Sequence, residues 1–257
     1  MDMSALPTKR FFQVWRRHLL VWKKSAATSL MGTLGEPFLY LMGMGYGLGR
    51  FVGEIEGVSY LVYLTAGILA ANSMNTATFE ALYGGFTRMT RQNTFHAMLA
   101  TPVRVADVVA GEVVWGGTKS LISGTAIFLV GNLLGSIPSS TAFLVLPVVF
   151  LSGLVFTAMG LVVMAIAPNY DFFLYYFTLV TTPMFLFCGV FYPVDSLPQT
   201  AQLVVNMLPL AHVVSLIRPL TVGVPLEDPV FHVVALLVYA ALAFFLATRL
   251  LKKRLIV

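Results

Sequence analysis

The sequence predicts an all-α integral membrane protein: six transmembrane helices, an N-terminal amphipathic helix lying in the membrane interface, and a re-entrant helical hairpin before the last span. Three observations carry that prediction. Hydrophobic residues make up 58% of the chain and charged residues only 11%, with a mean hydropathy of +0.85, whereas a soluble domain devotes about a quarter of its residues to charge. The apolar residues gather into runs of the ~20 residues that a helix needs to cross hydrocarbon. Lys and Arg fall in alternate connections between those runs, as positive residues do when they are retained on the cytoplasmic side. The 257 residues therefore form one transmembrane domain, 1–257.

Residues 8–24 differ from the spans. Wound at 100° per residue, Phe11, Trp15, Leu19 and Trp22 share one face with Phe12 at its edge, and Arg10, Arg16, Arg17, Lys23 and Lys24 share the other. This is the pattern of a helix floating flat among headgroups. The basic residues extend through Lys24 into a long apolar run, unlike a short cleavable signal sequence. The predicted spans are Thr28 to Gly49, Tyr60 to Tyr83, Ala106 to Leu134, Ala142 to Ala167, Phe172 to Tyr192 and Val230 to Leu250. Basic groups before the first, between the second and third, and after the sixth share one side, which puts both termini in the cytoplasm. The net charge of +5 follows from this topology and from contact with anionic lipid, not from nucleic-acid binding.

The 84–105 connection is the longest on the cytoplasmic side. In it Phe95, Met98 and Leu99 recur at i, i+3 and i+4, Asn93 or Thr94 caps the turn and Pro102 stops it. Such an apolar face either seats in a partner or packs on its own bundle.

Chemistry is sparse. Cys188 is the lone cysteine, so no disulfide or thiolate metal site forms within one chain. His18, His96, His212 and His232 are scattered singly, and hydrolase and zinc motifs are missing; no catalytic residue and no metal ligand is assigned. Gly116-Gly117-Thr118-Lys119-Ser120 resembles the tail of a phosphate loop but lies inside an apolar span. Gly43 with Gly47 and Gly45 with Gly49 are small pairs four apart, suited to close helix approach. Glu36, Glu80, Glu112 and Lys119 fall within or at the ends of spans, where a charge costs about 2.5 to 3.5 kcal/mol at a helix centre. Glu112 and Lys119 face the same way but lie seven apart, too far to bridge directly, so they need a shared partner. A polar and aromatic stripe of Asn72, Asn75, Thr76, Phe79 and Glu80 runs along the second span, and Thr178, Thr181, Thr182 and Phe185 along the fifth. On the residues alone, helix–helix hydrogen bonding and a transport path are equally good uses of them.

The region from Gly189 through Tyr192-Pro193-Val194-Asp195-Ser196-Leu197-Pro198, followed by Leu208-Pro209-Leu210-Ala211-His212 and Arg218-Pro219, contains too many prolines for one uninterrupted helix. Pro193 to Pro225 is predicted as a hairpin of two short helices, about Leu197 to Met207 and Ala211 to Leu220, turning at Pro209 within a re-entrant segment 193–228; Arg218, its basic residue, pairs with Asp195 in the favoured reading or else meets anionic headgroups or cargo. These elements resemble the C-terminal signature of the ABC-2 type permeases, and look most like the nodulation-factor export subgroup. The resemblance covers nearly the whole chain. It implies a permease of the bacterial cytoplasmic membrane working as a homodimer with two copies of a separate ATPase subunit, which binds ATP and magnesium, this chain holding no cofactor. It also implies export of an amphiphile: a lipo-oligosaccharide, glycolipid or drug-like molecule. It assigns Arg91, Thr94, Phe95, Met98, Leu99, Thr101 and Pro102 to ATPase coupling, the two stripes to the translocation path, and Tyr192, Pro193, Asp195, Pro198, Pro209 and Arg218 to an external hairpin. An ion-coupled secondary transporter using the intramembrane Glu and Lys residues, or an intramembrane enzyme, are the other classes; the first usually shows paired broken helices, and only one broken region is evident.

Overall fold

The computed structural model describes residues 6–256, without the side chains at 30, 32–34 and 36. Glu36 therefore lies outside the described side chains. Helix α1 (Phe11–Lys23) leads into α2 (Ala26–Tyr40), which continues through a π-helical stretch (Leu41–Leu48) into α3 (Gly49–Val52). A minimal antiparallel hairpin, β1 (Glu54–Ile55) and β2 (Val58–Ser59), turns the chain into α4 (Tyr60–Phe79). That helix runs on through a second π-helical stretch (Glu80–Gly85) into α5 (Phe86–Thr90); the short α6 (Thr94–Leu99) and the long α7 (Val105–Leu133) follow. The remaining elements are α8 (Val145–Ile166), α9 (Phe172–Tyr176), α10 (Thr182–Phe187), α11 (Gln199–Val205), α12 (Pro209–Val222) and α13 (Pro229–Leu255).

Among the described residues, three helices are each long and apolar enough to cross a membrane unaided: Val105–Leu133, Ala142–Ile166 and Pro229–Leu255. These match the predicted third, fourth and sixth spans. The others differ in instructive ways. The predicted second span ended at Tyr83, yet the helix continues to Thr90, because Gly84 and Gly85 are accommodated by a π-helical widening rather than by a break. The predicted fifth span ran to Tyr192, but its helix ends at Phe187. Gly189 takes φ +78, a conformation open to glycine and unfavourable for a helix, and Pro193 follows. Within this helix, the carbonyls that Pro183 cannot engage coincide with a π-helical stretch, Phe177–Thr181.

Helix α8 is central, packed against α7, α4 and α13. Its seam with α7 explains the phosphate-loop look-alike. A Cβ on Gly116 would overlap Thr157, one on Gly117 would come within 2.8 Å of Leu154, and one on Gly124 within 2.6 Å of Val149. These glycines let two helices approach closely. Polar side chains satisfy one another inside: Asn72 donates to Ser123 at 2.6 Å, Ser73 and Ser152 share a hydrogen bond at 2.6 Å, and Ser120 donates to the Ser73 carbonyl at 2.9 Å. Of the expected glycine pairs, Gly45 and Gly49 abut Leu61 and Tyr60 at the start of α4, whereas Gly43 and Gly47 meet nothing within 4 Å. The two pairs, offset by two residues, lie on roughly opposite faces of the helix, and only the Gly45 and Gly49 face packs on α4.

The core has two parts. One gathers α4, α12 and the N-terminal half of α8 around Leu64, Met74, Phe156 and Ile217; the other gathers Phe86, Phe95, Val109, Leu161 and Phe173 around the 91–104 connection.

The Pro-rich region forms two helices as expected, bent by 89° between α11 and α12, with Pro209 as the first residue of α12, where its missing N–H costs nothing. The Arg218 partner was expected to be Asp195, and this is not so. Asp195 is exposed in a single 3₁₀ turn, Val194–Ser196. Arg218 instead donates to the Gly189 carbonyl and lies 3.8 Å from the centre of the Tyr63 ring. The positive φ of Gly189 brings that carbonyl into reach, and a cation over an aromatic face is favourable once desolvated. A Cβ on Gly67 would overlap the Val190 backbone, so the same segment sits directly on α4.

Candidate functional site

The site is built where α1 meets the ends of α4, α5 and α7. Helix α1, expected to lie flat on the leaflet, packs along α7. Val14 and His18 are buried, Gly111 approaches so closely that a Cβ would come within 2.5 Å of Val14, and Trp15 donates its indole N–H to Thr118 at 2.9 Å. Phe12, Leu20 and Val21 remain exposed, leaving part of the apolar surface to face lipid. His18 is the exception that an amphipathic wheel does not anticipate: a polar residue on the packed side.

Its reason is an ionic chain. His18 Nε2 lies 3.1 Å from Glu112 Oε1. Arg88 grips the same carboxylate with two bonds, Nε to Oε1 at 3.0 Å and Nη2 to Oε2 at 2.6 Å, and reaches Glu80 Oε1 through Nη1 at 2.8 Å. Lys119 Nζ binds Glu80 Oε2 at 2.8 Å, and the Trp115 indole donates to Glu80 Oε1 at 3.0 Å. The Glu112 side chain is 1% exposed and that of Arg88 12%. Two carboxylates face Arg88 and Lys119, so the buried charges balance. A bidentate guanidinium–carboxylate pair is the geometry in which such burial is tolerable.

Glu112 and Lys119 do not bridge, as expected, but among the described residues no single side chain partners both. Arg88 and Glu80 link them as successive members of one chain. Arg88, assigned from sequence only to the positive cytoplasmic loop, is the missing member, and it belongs to the helix that continues past Gly85. Because Glu80 is committed to this chain, it does not join the other polar residues of its stripe.

The loop residues tie into the same assembly. Thr8 donates through its backbone N–H and its hydroxyl to Asp107, whose other oxygen accepts the Arg104 N–H at 3.0 Å. Arg10 donates to the Pro102 carbonyl, and Arg17 to Thr94 at 3.5 Å. Phe95, expected to seat in a partner, is fully buried beside Phe86 and Val109 in the chain's own core; Thr94 is also buried, and Met98 and Leu99 are half-buried. Its aromatic side chain fills a gap that the short α6 would otherwise leave. Arg91, His96, Ala97, Ala100, Thr101 and Pro102 form the exposed surface. Nothing in the spacing of Phe95, Met98 and Leu99 distinguishes these two faces' partners.

A cavity of ≈420 Å³ opens beside the ionic chain, lined by Arg17, Trp22, Tyr83, Trp115 and Lys119 among others. A second, apolar cavity of ≈310 Å³ lies between α2 and α7, against Gly35, Phe38, Ile127 and Val130. The stripes of the second and fifth spans meet only in part. Asn72, Asn75 and Phe185 share a space of ≈30 Å³ with Tyr40, room for about one water. Phe79 stacks on Tyr83 and lies 6.2 Å from Phe177. Thr76 and Thr181 are buried, while Thr178 and Thr182 face outward. His212 and His232, scattered in sequence, meet with Nδ1 atoms 2.9 Å apart. No cluster of three or more metal-ligating residues occurs among the described residues.

The model of the ABC-2 type transporter family matches residues 9–222, from α1 to the end of α12. The chain belongs to the ABC-2 type transporter family. It is 45% identical over 257 residues to Nodulation protein J of Rhizobium leguminosarum bv. trifolii, covering 99% of this chain and 98% of that one. Nodulation protein J of Rhizobium meliloti (strain 1021) is 44% identical over 255 residues, 98% and 97% of the two chains. Inner membrane transport permease YadH of Escherichia coli (strain K12) is 24% identical over 236 residues, 91% and 90% of the two chains. The expected subgroup is thus borne out. This ABC-2 chain is a transport permease with apolar helices of an integral membrane protein, and the family implies an ATPase partner.

Proposed function

We propose that the chain is the membrane subunit of an exporter that moves an amphiphilic molecule, of lipo-oligosaccharide, glycolipid or drug-like class, out across the cytoplasmic membrane, powered by a separate ATPase. Two copies of the chain form the permease and two ATPase subunits bind ATP and magnesium. Both termini are cytoplasmic. Six segments span the membrane: α2 with its π-helical extension, α4 with α5, α7, α8, α9 with α10, and α13. The α11–α12 hairpin dips in from outside and returns.

The observation that carries this reading is the ionic chain joined to the 91–104 loop. Loop, α1 and the ends of two spans are connected by charge-assisted bonds, so a push delivered to the exposed loop reaches α4 and α7 as one body. The exposed loop residues His96, Ala97, Thr101 and Pro102, with Arg91, are the contact with the ATPase; Phe95, Met98 and Leu99 support that surface from within. The small, closed space at Asn72, Asn75 and Phe185 is the resting state of the path between the second and fifth spans. Ion-coupled transport has weaker support, since Glu80, Glu112 and Lys119 are already paired.

Two outcomes follow. The purified chain alone turns over no ATP, and turnover that persists after removal of contaminating ATPases contradicts the assignment. Cysteines placed at Ser196 and Val224, both at exposed positions, react with an impermeant thiol reagent added from outside; labelling of Val224 only from inside means that the hairpin crosses and the six-span arrangement is wrong.

A further inference from the structure

The two cavities beside α7 lie on the same seam. The polar one is lined on α7 by Trp115 and Lys119, the apolar one by Ile127 and Val130. Eight residues from Lys119 to Ile127 advance about 12 Å along the helix axis. On α2 the order is the same: Ser29 lines the polar cavity, and Gly35 and Phe38 the apolar one. A charged, aromatic chamber therefore sits at the level of α1, with an apolar groove, open at Met31 and Phe38, farther along the same pair of helices.

Charge identifies what the outer chamber accepts. Glu80 and Glu112 are neutralised by Arg88 and Lys119, which leaves Arg17 as added positive charge on the wall; among the described residues its guanidinium makes a 3.5 Å contact with Thr94 and no ion pair. The Trp22 indole N–H on the same wall is buried without an acceptor among the described residues. Donors in excess of acceptors, beside net positive charge, call for an anionic, oxygen-rich group. The apolar groove has only carbon to offer.

We propose that the α2–α7 seam holds one membrane phospholipid with an anionic headgroup, its phosphate at Arg17 and Trp22 and an acyl chain against Gly35, Ile127 and Val130. The site is distinct from the space at Asn72, Asn75 and Phe185, although Pro37 of α2 borders both. A lipid there props α1 against α7 and makes the ionic chain sensitive to the composition of the inner leaflet. This rests on the reading of α1 as lying at the cytoplasmic membrane surface.

The test is native mass spectrometry of the full-length chain in mild detergent, with phosphatidylglycerol and phosphatidylcholine of equal acyl length added together. Both lipids offer a phosphate, but the choline cation of phosphatidylcholine would meet the positive wall at Arg17, so wild type should retain phosphatidylglycerol in about tenfold preference, a difference of about 1.4 kcal/mol in headgroup electrostatics. Arg17→Gln should bring the two lipids near parity. Gly35→Leu, at a position where a Cβ meets nothing within 4 Å, should fill the apolar groove without disturbing the fold and lower retention of the long-chain lipid severalfold. Parity in wild type overturns the proposal, as does retention unchanged in both variants. Glycerol 3-phosphate competing as well as the lipid leaves an anion site without an acyl groove, and that also overturns it. No ATPase or transport enters the assay, so failure of the exporter reading leaves a distinct signature.

Discussion

Replacing Arg88 with methionine should destabilise the solubilised protein by about 3–5 kcal/mol, the cost of stranding a buried charge whose partner is removed. Among the described residues Arg88 is the one ion-pair partner common to Glu80 and Glu112, and without it Glu112, 1% exposed, keeps His18 there. Removing the carboxylates as well should recover much of the loss. The quadruple variant Arg88→Met, Glu112→Gln, Glu80→Gln, Lys119→Met, in which no ammonium is left without its Glu80 partner, should therefore be more stable than Arg88→Met alone, by thermal unfolding monitored in detergent. Additive losses would show that the members act independently rather than as one chain. Export should fall further than stability does, because the recovered quadruple variant has a packed core but no ionic link between α1 and the spans.

The second large effect separates the two faces of α6. Phe95→Asp places a carboxylate in the space of a fully buried ring; it loses the several kcal/mol of a deleted core aromatic and adds the cost of an unpaired buried charge. The result should be poor accumulation of the protein itself. Ala97→Asp, on the exposed side, should accumulate normally and yet fail to co-purify with the ATPase. If Phe95→Asp folds normally and only the complex is lost, the sequence-based seating of Phe95 in a partner is right after all.

Apolar runs made the positions of the long helices legible, since α7, α8 and α13 owe their bounds to composition and length. Backbone exceptions were harder to see. Gly84-Gly85 looks like a helix end in a sequence, whereas a π-helical widening carries the chain through it to Arg88, and this one misreading hid the centre of the ionic chain. Glu80 and Arg88 lie eight apart, a same-face spacing that would have exposed the link had the helix been taken further. His18 was concealed differently: a wheel assigns it by hydrophobicity, and its burial depends on Glu112, almost a hundred residues away in sequence. Phe95 fell to the ambiguity of any short apolar face, which has one pattern for a partner and for its own bundle. Arg218 was drawn to Asp195 by charge alone, while the Gly189 carbonyl and the Tyr63 ring leave no trace in a list of charges.

The central claim, that this permease moves an amphiphile only when driven by a separate ATPase, is most directly tested in proteoliposomes containing the purified chain with or without the ATPase subunit. A fluorescently tagged lipo-oligosaccharide should cross the bilayer only when both subunits, magnesium and ATP are present on the side of the 91–104 loop, and the Ala97→Asp variant should abolish the movement. Equal movement by the chain alone, driven by an imposed proton or sodium gradient, would contradict the account.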